Sequence, residues 1–276
     1  MLYKLRDLSH TTLRALDGDV GKVRDVYFDD LDWVVRYLVA DTGGWFSGRK
    51  VLLSPASVDR IGLDGKEISM NLTKRQIEDS PPVLTDEPVS RRMEARLVQH
   101  YGWPAYWTPP FPPMSAPDFV PAQSAPWGHP PDPDDQPLEP VGDVEDQGLR
   151  SANEVRGYGI RTGDGDIGQV DDFVCDPEDW RIHYLVVDTR RILPGKKVLV
   201  PSGLVGGVSW EAESVLIAST KEALRTAPQY EEGTPLDAAM ESTLRAHYGR
   251  SSAPVRGEGA GRRAAGAPGE GERPGR

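Results

Sequence analysis

DGDVGKVRDVYFDDLDWVVRYLVADTGGWFSGRKVLL, residues Asp17 to Leu53, decides the fold. It returns 147 residues later as DGDIGQVDDFVCDPEDWRIHYLVVDTRRILPGKKVLV, residues Asp164 to Val200, without a gap. The match runs in register from Lys4 to Gly102 against Ser151 to Gly249, with about thirty identical positions. Such a period is far too long for a solenoid, so each copy is expected to be a small domain. Within the stretch, Asp17-Gly18 is a tight-hairpin signal, because both residues tolerate positive φ. Val20–Phe28 reads as a strand anchored by Val23, Val26 and Phe28. Acid-rich Asp29–Asp32 makes a turn, where carboxylates can accept from nearby backbone N–H groups. Trp33–Asp41 is apolar nearly throughout, as in a strand closing a small barrel.

Outward from this stretch the pattern stays β-rich. Thr11–Leu16 precedes it, and Ser57–Leu63 with Glu67–Leu72 follows as a pair joined at Asp64-Gly65. Short strands with hairpin turns predict a small antiparallel barrel in each copy, a mainly β chain. Thr73-Lys-Arg-Gln76 has the form of a capping box and predicts a short helix, matched by one starting at Thr220. Met93, Leu97 and Tyr101 stripe a second helix closed by Gly102, and Met240, Leu244 and Tyr248 stripe its counterpart before Gly249.

The domain plan is therefore a first repeat with its helix at 1–103, a linker at 104–147, a second repeat with its helix at 148–250, and a tail at 251–276. Pro104–Pro140 holds thirteen prolines, which predicts extended, irregular chain. Tyr106, Trp107, Phe111, Phe119 and Trp127 interrupt it, and packing of several onto a barrel is the first expectation, a docking site the second. The tail, rich in Gly, Ala, Arg and Glu, is expected to be disordered.

Net charge is −11, and residues 104–149 hold eight acids and no Lys or Arg. An acidic chain repels phosphate backbones, so no nucleic-acid partner is expected. Cys175 is the only cysteine, which rules out an internal disulfide and suits a reducing compartment. No apolar run approaches the roughly 20 residues of a membrane helix, so a cytoplasmic protein without a transmembrane segment is expected.

The residue types able to carry chemistry have plainer readings. Asp25, Asp29, Asp30 and Asp32, with Asp171, Asp172, Asp176, Glu178 and Asp179 in the second copy, lack the spacing of a calcium loop and read as turn acids. His100 and His247 recur in His-Tyr-Gly at helix ends, where an imidazole can meet carbonyls. Cys175 stands at the repeat position of Phe28 and reads as a packed apolar residue. No nucleophile elbow or phosphate-binding glycine motif occurs. The chain is expected to be non-enzymatic, with no cofactor and no metal. The loops after the third strands place Trp45-Phe46 and Ile192-Leu193 at equivalent points, each followed by a basic pair that begins at Arg49 or Lys196. Paired apolar residues in a loop indicate a covered surface. The cover is the chain's own helices or linker, the other barrel, or a partner protein. Trp45, Phe46, Arg49, Ile192, Leu193 and Lys196 are the candidate partner-binding residues.

The pattern Asp-Gly-x-[Val/Ile]-Gly-x-Val, then Trp with Tyr-Leu-Val and Asp-Thr, then Lys-Val-Leu, resembles the PRC-barrel family, and it stands here twice. One copy runs from Asp17 to Leu52 and the other from Asp164 to Leu199. The resemblance covers both repeats to about Leu84 and Glu231. It implies two PRC-type β-barrels, each followed by short helices, that serve protein–protein contact and not catalysis. The family includes the cytoplasmic domain of the photosynthetic reaction-centre H subunit and the C-terminal domain of the ribosome maturation factor. A part in assembling or regulating photosynthetic reaction centres is one implication, and an RNA-processing or ribosome-assembly adaptor the other. The partner expected is an unidentified protein, with self-association or pairing of the two barrels as further possibilities.

Overall fold

A computed structural model describes residues 2–42, 49–62, 65–81, 89–107, 149–189, 195–234 and 236–251. The first copy opens with a two-residue strand, β1 (Tyr3–Lys4), and a single helical turn, α1 (Leu5–Leu8). Strands β2 (Thr12–Ala15), β3 (Gly18–Asp29), β4 (Val34–Asp41), β5 (Lys50–Leu53), β6 (Val58–Ile61) and β7 (Glu67–Met70) follow. Helices α2 (Lys74–Glu78) and α3 (Arg91–Tyr101) complete it. Thr73 caps α2 through the reciprocal bonds of a capping box, and Gly102 closes α3 in the left-handed conformation at φ 70°.

The second copy repeats the plan as β8 (Leu149–Ser151), α4 (Ala152–Val155), β9 (Gly159–Thr162), β10 (Gly165–Cys175), β11 (Ile182–Asp188), β12 (Lys197–Pro201), β13 (Val205–Ser209), β14 (Ser214–Ile217), α5 (Lys221–Thr226) and α6 (Ala238–Ser251). The two sheets run in the orders β5-β4-β3-β2-β7-β6 and β12-β11-β10-β9-β14-β13. Antiparallel ladders dominate. Each sheet departs from the expected all-antiparallel barrel at one join, where β2 pairs with β7, and β9 with β14, in parallel.

Gly21 and Gly168 mark where the long β3 and β10 strands press against the neighbouring chain. A Cβ on Gly21 would lie 2.0 Å from the Asp41 carbonyl oxygen, and one on Gly168 2.2 Å from that of Asp188. The repeated glycines are thus a requirement of close backbone approach.

The N-terminal segments are exchanged between the copies. β1 pairs with β10 of the second copy, Tyr3 opposite Cys175 and Lys4 opposite Val174. Reciprocally, β8 pairs with β3 of the first, Arg150 opposite Phe28 and Ser151 opposite Tyr27. Each ladder is secured by one carboxylate that follows a β-bulge, Asp25 in β3 and Asp172 in β10. Asp172 accepts from the Arg6 backbone N–H (3.2 Å), and Asp25 accepts from that of Asn153 (3.1 Å) and from the Ser151 hydroxyl (2.6 Å). Asp172 is 1% exposed and sits 3.4 Å from the Arg156 guanidinium, yet burial still raises its pKa.

Across the axis between the copies, Trp33 and Trp180 hold the left-handed region at φ 56° and 58°. The Trp33 carbonyl accepts from the Ile182 N–H (2.7 Å), and the Trp180 carbonyl from the Val35 N–H (2.8 Å). Phe28 lies between Trp33 and Phe173, at 5.4 Å and 5.1 Å between ring centroids. Most buried apolar residues of both copies merge into one cluster through this junction, and Tyr37, Val39, Leu52, Val89 and Leu97 form a second, smaller cluster in the first copy. Leu5, Leu8, Ala152 and Val155 are all 1% exposed or less, so the exchanged segments belong to the larger, shared core.

Candidate functional site

The paired apolar residues Trp45, Phe46, Ile192 and Leu193 lie outside the described residues. Their basic neighbours are placed. The Arg49 guanidinium donates to the carbonyls of Glu78 (3.0 Å) and Ser80 (2.8 Å) at the end of α2. The Lys196 ammonium donates to the Ala227 carbonyl at the end of α5. Both cations therefore neutralise the negative end of a helix in their own copy.

The clearest difference between the copies lies on one face of each barrel, between β4 and α3 in the first and between β11 and α6 in the second. In the first copy this face is covered by the chain that follows Gly102. Trp103 stacks on Tyr101, with centroids 4.1 Å apart, and its indole N–H donates to the Ser57 hydroxyl at 2.7 Å. The Tyr106 hydroxyl donates to Glu94 at 2.8 Å, beside the Tyr37 hydroxyl, which donates to the same oxygen at 3.0 Å. Arg36 lies 3.8 Å over the Tyr106 ring and Arg91 4.4 Å over the Trp107 ring, both favourable cation–π contacts. The expectation that linker aromatics pack on a barrel holds for Tyr106 and Trp107; Phe111, Phe119 and Trp127 lie outside the described residues.

This cover has an electrostatic consequence. Glu94 is fully buried, and loss of water raises its pKa, opposed by the Tyr106 hydroxyl and the Arg91 guanidinium. Burial, followed by the adjacent Glu94, likewise pushes the Tyr37 and Tyr106 phenols up.

In the second copy the same face is, among the described residues, an open groove of about 350 Å³. Its apolar floor is formed by Tyr184, Leu204, Leu244 and Tyr248, and its rim carries His183, Glu241 and Arg245. By the 147-residue offset, His183, Tyr184 and Glu241 are the counterparts of Arg36, Tyr37 and Glu94. Tyr37 and Glu94 are buried, whereas Tyr184 and Glu241 are part-exposed. The counterparts of Trp103–Trp107 are Arg250–Pro254, and no aromatic residue occurs from Arg250 to Arg276. Among the described residues nothing donates to the Glu241 carboxylate, and the covered Nε2 of His183 has no hydrogen-bond partner.

Of the acids read as turn residues, Asp29 and Asp176 behave so, whereas Asp25, Asp171 and Asp172 lie within β3 and β10, where they meet the exchanged segments. Asp29 accepts from the Leu31 N–H (2.9 Å) and Asp176 from the Glu178 N–H (3.0 Å). In the first copy Arg36 bridges Asp29 and Asp32 at 3.1 Å each. In the second, Asp176, Asp179 and His183 place one ligand atom each within 4.8 Å of one another, the group among the described residues that could hold a metal ion. His100 and His247 do meet carbonyls, but of the preceding helical segments, Gln76 (2.7 Å) and Ala223 (2.8 Å). Cys175 is fully buried, and burial followed by the nearby Asp176 pushes its thiol up to about 12.

The strand-rich part of each copy is similar to known proteins. A protein of Deinococcus radiodurans described as "Uncharacterized protein" is 32% identical over 105 residues, covering 34% of this chain and 38% of that protein. The chain thus spans well under half the length of that curated relative. The family model described as PRC-barrel domain matches residues 2–77 and again residues 148–224. Those two matches take in more than half of the sequence and coincide with the two strand-exchanged sheets: the chain belongs to the PRC-barrel domain family.

Proposed function

We propose that this protein is a non-enzymatic, cytoplasmic interaction or assembly module, and that its second copy presents the partner-binding surface. The observation that carries the reading is the contrast between the two faces. The first copy covers its apolar floor, buried acid and cation with its own chain, while the second leaves the corresponding residues around an open groove. Part-exposed Tyr184 and Leu204, set over the buried Leu244 and Tyr248 and edged by a polar rim, have the anatomy of a docking surface.

Site-specific photo-crosslinking in cells tests this. A photoreactive residue at Leu204 should give a discrete cross-linked product, whereas one at Ser57, the equivalent point of the covered face, should not. Equal labelling at both positions would remove the groove as the binding surface. The narrower reading, a part in assembling or regulating photosynthetic reaction centres, rests on the family likeness. It requires the product from Leu204 to contain a reaction-centre or assembly component.

A further inference from the structure

We propose that the groove of the second copy binds an extended, proline-containing segment of another protein through a tyrosine or tryptophan side chain, as the first copy binds its own Trp103–Trp107. This rests on the reading of the groove as a docking surface and adds the chemistry of its occupant. The warrant is internal to the molecule. The repeat provides the same scaffold twice, once with its occupant in place.

On the occupied side the segment Trp-Pro-Ala-Tyr-Trp lays one indole against Tyr101 and one phenol against Glu94 and Arg36. The open side keeps the elements of that recognition. Part-exposed Tyr184 stands for Tyr37 and part-exposed Glu241 for Glu94, above Leu244 and Tyr248, which replace Leu97 and Tyr101 and are buried, the Tyr248 hydroxyl donating to the Leu199 carbonyl. What changes is the supply of donors and cations. Arg91 is replaced by Ala238 and Arg36 by His183, while Arg245, at the position of Val98, is the arginine on the rim beside Glu241. A carboxylate accepts only, so it selects an O–H or N–H donor. An aromatic ring carrying one such donor combines that bond with burial against the apolar floor. Proline and the few rotatable bonds of an aromatic side chain reduce the entropy lost on docking. Residues 250–276 contain no aromatic side chain, so that stretch cannot supply the group.

The probe is the capped pentapeptide Trp-Pro-Ala-Tyr-Trp, titrated into the full-length chain and followed by calorimetry and amide NMR. Saturable 1:1 binding that shifts Tyr184 and Leu244, and leaves Tyr37 and Leu97 in place, is the expected result. Leu204→Arg, on the part-exposed groove floor, should weaken binding at least tenfold with the melting temperature nearly unchanged. A peptide with Ser at its three aromatic positions should not bind. As a second arm, Trp103→Ser with Tyr106→Ser should open the first face and raise the stoichiometry from one to two.

Three results overturn the proposal. If the chain binds only after Phe111, Phe119 and Trp127 are changed to Ser, the occupant is the chain's own linker. If sedimentation shows a dimer abolished by Leu204→Arg, the occupant is a second copy. If neither chain binds peptide while photo-crosslinking at Leu204 still yields a specific product, the docking reading stands and the aromatic occupant is wrong. Loss of both signals removes the docking reading as well.

Discussion

Glu94 shows how one buried acid can couple a barrel to the chain that covers it. Its carboxylate collects two phenol donors and an arginine, yet burial still dominates and raises its pKa. A raised folded-state value means that the folded chain holds this proton more tightly than the unfolded chain. The stabilisation is complete below the unfolded value near 4 and is lost as pH rises through the folded value. Glu94→Gln keeps an acceptor for Tyr37 and Tyr106 and cannot ionise. Its stability relative to the parent should therefore improve steadily as pH rises from about 4, in urea melts across a pH series. A flat difference would show that Arg91 and the phenols compensate the burial in full. Asp29 and Asp176 were legible as turn acids because their partners lie two residues away, and the packed Cys175 because it stands at the repeat position of Phe28. The burial of Glu94 was not legible, since it depends on Tyr106 folding back over a helix.

Among the elements, the long strands β3 and β10 carry the architecture. Gly21 is held at φ 155° with the Asp41 carbonyl where a Cβ would sit. Gly21→Ala should cost on the order of 3 kcal/mol, read as a lowered denaturant midpoint, because backbone and not a flexible side chain must move. Gly163→Ala, with open space around it, serves as the neutral control. The exchanged N-terminal segment makes a second prediction. Deleting residues 2–8 removes β1 and α1 from the chain, but they pair with β10. Hydrogen-exchange protection should therefore fall first at Val174 and Cys175 in the second copy. Loss confined to β2 and β3 would show that the segment serves only its own copy. The hairpins, the caps of α2 and α5 and the stripe of α3 could all be read from local pattern. β1 and β8 could not, because two or three residues pairing at a separation of more than 120 positions leave no periodic trace.

As a whole molecule, the protein is two sheets that complete one another. Six strands of each come from its own copy and one from the other, and the junction buries Phe28, Trp33, Phe173 and Trp180. When residues 1–107 and 148–251 are co-expressed as separate chains, they should associate as a stable one-to-one complex. Copurification through a tag on either half is the measurement. Each half alone would expose apolar junction surface and lack a pairing strand, so it should aggregate or self-associate. Two well-behaved monomers would mean that the shared core is dispensable. The duplication, visible at once in the sequence, pointed to two barrels but not to their mutual dependence, because exchanged and unexchanged repeats share one pattern. The groove was still harder to see. Its one trace is that Trp-Pro-Ala-Tyr-Trp follows Gly102 whereas Arg-Ser-Ser-Ala-Pro follows Gly249.

The reciprocal pairing of β1 with β10 and β8 with β3 is the arrangement of a two-fold dimer written into one polypeptide. In a dimer of identical chains, every substitution appears on both sides of the axis at once, and a plug for one face is a plug for both. Joining the halves lifts that constraint. Position 28 can be phenylalanine while position 175 is cysteine, and position 36 can be arginine while position 183 is histidine. Covalent fusion thus permits broken symmetry, with one barrel specialised as a closed scaffold and its twin free to evolve as a receptor.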